Sequence, residues 1–277
     1  MEQPRLSVII PVYNRPDSLK KAVSSAADAI RYAQIKQPFP AEILVIDDGS
    51  SIPVSLNSEK HFFLQSCIDM KIIRKDQNAG VGKARNLGIS QARGEYISFL
   101  DSDDTYLTNR FSADLDFMNQ FDVEFCYGST LDERAINLDW EAPKRKNSIT
   151  RFTGPTPMLG KFHAAGNHGH IHLNATTIQR DALLARAIYF TSLKRSQDTI
   201  LIHECLDNLY SLPNPDTRPI AKRTYHAYNS LKVNRKGTLL FLWRTIVSKA
   251  NFRTKIAVIV NAVLQQPKNS IVQWLRD

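Results

Sequence analysis

Short apolar runs alternate with amphipathic stretches through the first hundred residues. Leu6-Ser7-Val8-Ile9-Ile10-Pro11-Val12-Tyr13 reads as a first strand and its exit loop. Pro11 is a poor interior residue for a central strand and is expected to mark the exit. Asn14, Asp17 and Ser18 offer cap or turn chemistry before a helix running to about residue 32, with Leu19, Val23, Ala26, Ala27 and Ile30 along one side. Pro38 and Pro40 close that unit. A strand, Glu42-Ile43-Leu44-Val45-Ile46, follows, then a helix expected from about residue 56 to 67. Met70-Lys71-Ile72-Ile73-Arg74 reads as a strand, residues 78–92 as a small-residue loop entering a helix, and Tyr96-Ile97-Ser98-Phe99-Leu100 as a buried strand. This alternation predicts a parallel sheet covered by helices.

Further along, a helix is expected over 109–118 and a strand over 121–127. The polar, proline-bearing stretch 132–157 predicts an irregular lobe or lid. A strand over 174–178 and a short helix over 181–187 precede an apolar helical pattern at Ile200, Leu201, Leu206 and Leu209.

Two strands end in acid. Asp101-Ser102-Asp103-Asp104 follows the run ending at Leu100, and Asp47-Asp48-Gly49-Ser50 follows the run ending at Ile46. Clustered carboxylates repel unless a cation or hydrogen-bond donors offset their charge. Hard divalent ions take such oxygen ligands and hold phosphate oxygens in turn. Two acidic strand ends in one α/β pattern therefore suggest a site for a metal-bound nucleotide. Gly80 and Gly82 can bring backbone N–H groups near a nucleotide. They form neither the full dinucleotide-binding fingerprint nor a P-loop.

Asp198 begins the pattern containing Ile200. It suits either a helix cap or a base that deprotonates a bound hydroxyl. His163, His168, His170 and His172 include an alternating set that would share one face of an extended segment. Their spacing names no ion, and a polar strand lining an acceptor cleft accounts for them.

Charge changes the picture at one end. The formal net charge is +9, and residues 231–277 carry nine Lys or Arg against one acidic residue, which leaves +1 for residues 1–230. That tail also holds Leu239-Leu240-Phe241-Leu242-Trp243 and, at helical spacing, Ile256, Ile259, Val260, Val263 and Leu264. It can pack on the rest of the chain, form a dimer contact, or enter an anionic membrane interface. Three dispersed cysteines, Cys67, Cys126 and Cys205, form no metal-ligand pair and suit an intracellular chain with free thiols. The amino terminus lacks a signal-like sequence, and no run reaches bilayer-spanning length.

In order and spacing, Pro11-Val12-Tyr13-Asn14, Asp47-Asp48-Gly49-Ser50, residues 78–86 (NAGVGKARN), Asp101-Ser102-Asp103-Asp104 and Gln197-Asp198 resemble the motifs of inverting family 2 glycosyltransferases with the GT-A fold. The resemblance covers roughly residues 5–230 and is strongest through Tyr106. It implies an α/β fold: a nucleotide-sugar-binding domain whose mixed central sheet is flanked by helices, with a C-terminal helical extension. Residues 1–105 would bind the nucleotide sugar, 106–230 would bind acceptor and catalyse, and 231–277 would form the basic amphipathic extension.

The resemblance also implies a nucleoside-diphosphate-sugar donor, expected to be a UDP-sugar, used with Mg²⁺ or Mn²⁺. Pro11 and Tyr13 would form the base pocket, Asp48 would recognise the base edge, and Arg85 would contact the nucleotide. Asp101 and Asp103 match the DXD pattern for donor and metal, with Asp104 an alternative metal ligand. Asp198 matches the catalytic base; its neighbour Gln197 replaces the family's usual Glu and cannot act as a base. His226 lies in a segment resembling one where a His approaches the metal or diphosphate, and Lys222 and Arg223 could neutralise phosphate. A glycan or lipid-linked acceptor would follow, in polysaccharide or lipopolysaccharide biosynthesis at the inner face of the cell membrane.

Two other classes remain open to the sequence. A nucleotidyltransferase would also use acids and divalent ions but would release pyrophosphate. A nucleic-acid-binding protein would use the basic tail, although the near-neutral remainder carries no recognised nucleic-acid module and specific nucleic acid is not expected.

Overall fold

A computed structural model describes residues 2–56, 67–132, 171–192 and 197–224. The chain runs β1 (Leu6–Val12), α1 (Pro16–Lys36), β2 (Ala41–Asp47), β3 (Ile68–Arg74), α2 (Val81–Gln91), β4 (Tyr96–Phe99) and β5 (Thr105–Tyr106). A 3₁₀ turn (Thr108–Phe111), α3 (Asp114–Phe121), β6 (Phe125–Tyr127) and β7 (Ser129–Asp132) follow. A second 3₁₀ turn (Leu173–Ala175) leads into β8 (Thr176–Gln179), α4 (Arg180–Ala185), α5 (Gln197–Asn208), β9 (Ser211–Pro213) and β10 (Pro219–Arg223).

Seven strands form one mixed sheet in the order β3-β2-β1-β4-β8-β6-β9. β1 to β4 are mutually parallel, and β8 enters antiparallel to both β4 and β6. The sheet thus crosses the boundary near residue 105 and joins both halves of the chain. β5, β10 and β7 make a smaller sheet.

Alternation along β1 divides the core. Leu6, Val8, Ile10 and Val12 pack with Leu19, Val23, Ala26 and Ile30 of α1, whereas Ile9 packs with Ala84 and Ile89 of α2 and Leu201 and Cys205 of α5. Both faces of the central strands are therefore buried, as parallel strands require. α1 starts at Pro16, whose fixed φ suits a first helical turn, and carries Asp17 and Lys36 at the ends that complement the helix dipole.

Several expectations are corrected. Pro11 lies inside β1, opposite Ile46 of β2. It is tolerated because Pro11 shares its hydrogen-bonding side with Ile9, facing β4, and the pairing with β4 ends at Ile9. The helix expected over 109–118 is split into a 3₁₀ turn and α3, because the Ser112 hydroxyl bonds the Asn109 carbonyl at 2.9 Å and competes with the helical ladder. The strand expected from residue 121 starts at Phe125, since Asp122 ends α3 in a left-handed conformation (φ 54°). The helix expected within 56–67, most of the stretch 132–157, three of the four clustered histidines and the basic tail lie outside the described residues.

Candidate active site

The order of strands sets the position of the site. β1 leads through α1 to β2 on one side, while the chain returns through α2 to β4 on the other. The ends of β1 and β4 therefore flank a topological switch point, where open α/β sheets bind ligands. A cleft of about 400 Å³ opens there, and its walls include Pro11, Tyr13, Asp48, Arg85, Asp101 and Asp103. Six of the nine residues anticipated for the site share this one cleft. Tyr13 is half exposed, so its ring is free to accept a stacked base.

The acidic end of β2 is locked. The Asp47 carboxylate accepts N–H bonds from Ser50 at 2.9 Å and Val54 at 3.4 Å and pairs with Arg74 at 2.7 Å. Burial pulls its pKa upward, but the Ser50 hydroxyl and amide, the Val54 amide and Arg74 outweigh burial and hold it below the ordinary value. The next residue, Asp48, reaches the cleft, accepts the Ala79 and Gly80 N–H groups at 3.2 and 2.8 Å, and is ion-paired with Lys75. The Gly80 amide, one of the two glycine amides expected near a nucleotide, is thus spent on Asp48. Gly49 makes the corner possible: its φ is +74°, and a Cβ there would stand 2.6 Å from the Gln77 main chain.

The three carboxylates after β4 have different surroundings. Asp101 accepts the Arg85 guanidinium at 2.5 Å, and that guanidinium lies over the Phe190 ring at 5.1 Å. Asp103 is ion-paired with Arg15, at the entry to α1. Asp104, expected as an alternative metal ligand, is buried and is not among the residues walling the cleft. Its oxygens accept the Thr224 N–H at 2.8 Å and the Asn174 amide at 2.5 Å. Burial first, and then the charge of Asp101, lift its pKa to about 7 despite those bonds.

Among the described residues, no group of three His, Cys, Asp or Glu side chains forms a ready metal cage. The donor set nonetheless fits a hard divalent ion. Asp101 and Asp103 offer carboxylate oxygen at the cleft, and Mg²⁺-type sites commonly take one or two carboxylates with the remainder from phosphate and water.

Asp198 is not among the residues walling the cleft. It lies inside the first turn of α5, which begins at Gln197, rather than at the cap expected ahead of the helix, and the Gln197 side chain occupies the space beside Gly82 in the first turn of α2. The Asn86 side chain bonds Phe190 both ways, donating to its carbonyl and accepting from its N–H, each at 2.9 Å. α2 therefore holds Asp101 through Arg85 and the approach to α5 through Asn86. His226 lies outside the described residues. Lys222, paired with Thr105, and Arg223 lie in β10.

Arg15, Lys75 and Asn174 were not anticipated. Arg15 adjoins the Pro11-Val12-Tyr13-Asn14 motif, which was a usable signal. Lys75 and Asn174 sit in segments whose local pattern carries no mark of the site.

The mixed sheet, its helical layers and the cleft at the β1–β4 switch point are those of a GT-A glycosyltransferase. The model of the family "Glycosyl transferase family 2" matches residues 7–183, and the chain belongs to that family. An uncharacterized glycosyltransferase of Rickettsia conorii is 38% identical over 125 residues, covering 45% of this chain and 19% of that protein. The chain thus spans about a fifth of that relative's length. The minor teichoic acid biosynthesis protein GgaA of Bacillus subtilis is 27% identical over 210 residues, covering 72% of this chain and 43% of GgaA. Among solved structures, S. aureus TarS residues 1–349 with UDP-GlcNAc superposes with a TM-score of 0.65 at 18% identity, covering 98% of this chain and 79% of the other. The mannosyltransferase PcManGT of Pyrobaculum calidifontis, with GDP-Man and Mn²⁺, gives 0.57 at 13% identity, covering 96% of this chain and 71% of the other.

Proposed function

We propose that the chain transfers a sugar, with inversion, from a nucleoside-diphosphate sugar to a hydroxyl of a glycan or lipid-linked acceptor. The observation that carries this reading is the convergence of Tyr13, Asp48, Arg85, Asp101 and Asp103 on one cleft at the switch point. The UDP-GlcNAc bound to TarS and the GDP-Man bound to PcManGT support a nucleotide-sugar donor, and UDP is the nucleotide we favour. The relationship to GgaA supports a polymer-building role.

In this reading residues 1–105 bind the donor and 106–230 supply the acceptor side, although one sheet joins them. Pro11 and Tyr13 hold the base, and an Asp48 oxygen accepts from its edge. Arg85 meets the nucleotide beside Asp101, and Asp101 and Asp103 hold a divalent ion. When bound, Mg²⁺ or Mn²⁺ supplies charge that stabilises the departing diphosphate.

Asp198 accepts the proton of the acceptor hydroxyl as that oxygen attacks the anomeric carbon from the face opposite the leaving group. A UDP-α-sugar gives a β-linked product. Gln197 carries no charge, so Asp198 is the basic member of the pair. His226 joins the diphosphate end of the site, and the +8 tail holds the enzyme peripherally at an anionic inner membrane face. Among the described residues no helix is long and apolar enough to cross a membrane.

The experiment is a panel of nucleotide sugars with Mn²⁺ and a membrane-lipid extract, read by product mass and linkage. A β-linked glycoside with release of nucleoside diphosphate supports the proposal. Release of pyrophosphate, or the absence of any nucleotide-sugar binding across divalent ions, rejects it.

A further inference from the structure

β8 runs antiparallel to β4, so the chain entering β8 lies beside the chain leaving β4. Asn174 occupies that entry, 1% exposed, and both ends of its side-chain amide are used on the acidic turn. Its oxygen accepts the Asp101 N–H at 3.1 Å, and its nitrogen donates to Asp104 Oδ2 at 2.5 Å. The other Asp104 oxygen accepts the Thr224 N–H, where β10 ends. Within the turn, the Asp104 N–H donates to the Asp101 carbonyl at 3.0 Å.

Asn174 is held from behind in turn. Its carbonyl accepts the Nε of Arg110 at 3.2 Å. Arg110 is fully buried, pairs with Asp114 at 2.7 Å, and donates to Ser98, Thr177 and the Thr176 carbonyl. Tyr106 and Phe111 enclose the guanidinium at 5.1 and 4.6 Å. A buried charge is retained at such cost only with its donors satisfied, and here each of the three nitrogens of the group donates a hydrogen bond.

We propose that Asp104 is a positioning residue: with Asn174 it latches the acidic turn to the end of β10, while Asp101 and Asp103 alone face the cation and diphosphate. The latch fixes the angle between the two cleft-facing carboxylates and ties them to the segment that continues toward His226. This rests on the donor-site reading given above. It assigns Asn174 a part in the reaction and removes Asp104 from the ligand set.

Exchanging the two side chains tests the latch. Asp104→Asn alone sets its amide nitrogen against a donor in either orientation, the Asn174 amide nitrogen or the Thr224 N–H, and Asn174→Asp alone brings two carboxylates together. The double variant Asp104→Asn/Asn174→Asp restores every bond. Its carboxylate, now on the β8 side, accepts the Asp101 N–H and the exchanged amide nitrogen, while the exchanged amide oxygen accepts the Thr224 N–H. We expect each single variant to weaken Mn²⁺ binding in the presence of UDP, read by electron paramagnetic resonance. The double variant should recover wild-type affinity to within about three-fold, together with its melting temperature. A double variant that melts like wild type yet binds Mn²⁺ as poorly as Asp103→Asn makes Asp104 a ligand and overturns the latch. A double variant that melts no higher than the single variants also overturns it. If wild-type protein binds no Mn²⁺ with UDP or any other nucleoside diphosphate, the donor-site reading fails, and melting temperatures alone judge the latch.

Discussion

A Cβ on Gly82 would stand 2.1 Å from the Gln197 side-chain oxygen and 2.8 Å from the Thr191 carbonyl. The side chain of Gln197 can move, but the main chain at Thr191 cannot move without shifting the approach to α5. The first turns of α2 and α5 therefore meet only because residue 82 lacks a side chain. The contact brings the turn that bears Asp198 against the helix that bears Arg85.

Gly82→Ala should displace α5 while leaving the rest of the cleft in place. Misplacing a reacting group by about 1 Å can cost about 100-fold in rate, and a fall in kcat of that order is expected. UDP affinity, read by calorimetry, should change little. Equal losses in both would place Gly82 in the donor pocket instead.

Asp198→Asn keeps the shape of the side chain and removes its proton-accepting capacity. Turnover should fall by about 10²- to 10⁴-fold with donor binding unchanged. A correctly folded variant that transfers sugar at the wild-type rate would reject the base assignment.

Asp103→Asn and Arg15→Gln should act in opposite directions on metal binding. Removing the carboxylate should weaken Mn²⁺ binding in the presence of UDP by about 100-fold or more, since even outer partners of metal ligands cost about 10–100-fold. Removing Arg15 takes away a positive charge paired with Asp103 and should tighten Mn²⁺ binding measured without nucleotide. Weaker Mn²⁺ binding in Arg15→Gln would show that the arginine supports the ligand geometry.

Asp47 supplies a pH signature. Its pKa is lowered in the folded chain, because the Ser50 and Val54 hydrogen bonds and Arg74 outweigh burial. The unfolded state then binds the proton more tightly, so the stabilisation is present above the ordinary value of 3.8 and is lost as pH falls through the folded value. Asp47→Asn should therefore melt below wild type at pH 7, with the gap closing on acidification below about 4. A gap of constant size from pH 7 to pH 3 would show that the carboxylate charge contributes nothing.

Much of the nucleotide half was readable in order along the chain. Apolar runs of strand length, broken by Pro38, Pro40 and Gly94, predicted β1 to β4 to within a residue or two, and the acidic ends of β2 and β4 lie where those runs stop. Pro11 misled the reading because its tolerance depends on where a neighbouring strand ends, which β1 itself does not encode. The break before α3 was hidden for a related reason. Ser112 bonding to Asn109 competes with a helix whose apolar spacing is otherwise acceptable.

The amino-acid sequence by itself determined the alternating α/β pattern, the two acidic strand ends and their membership of the glycosyltransferase motif set, since periodicity, turn residues and motif spacing are local properties. Only the tertiary structure decided which carboxylates meet the cleft. Asn174 lies 73 residues from Asp101, and Thr224 lies 120 from Asp104. The antiparallel entry of β8 beside β4 and the return of β10 beside β5 bring them together. A carboxylate's partners depend on strand order and packing, and no local pattern of side chains records those.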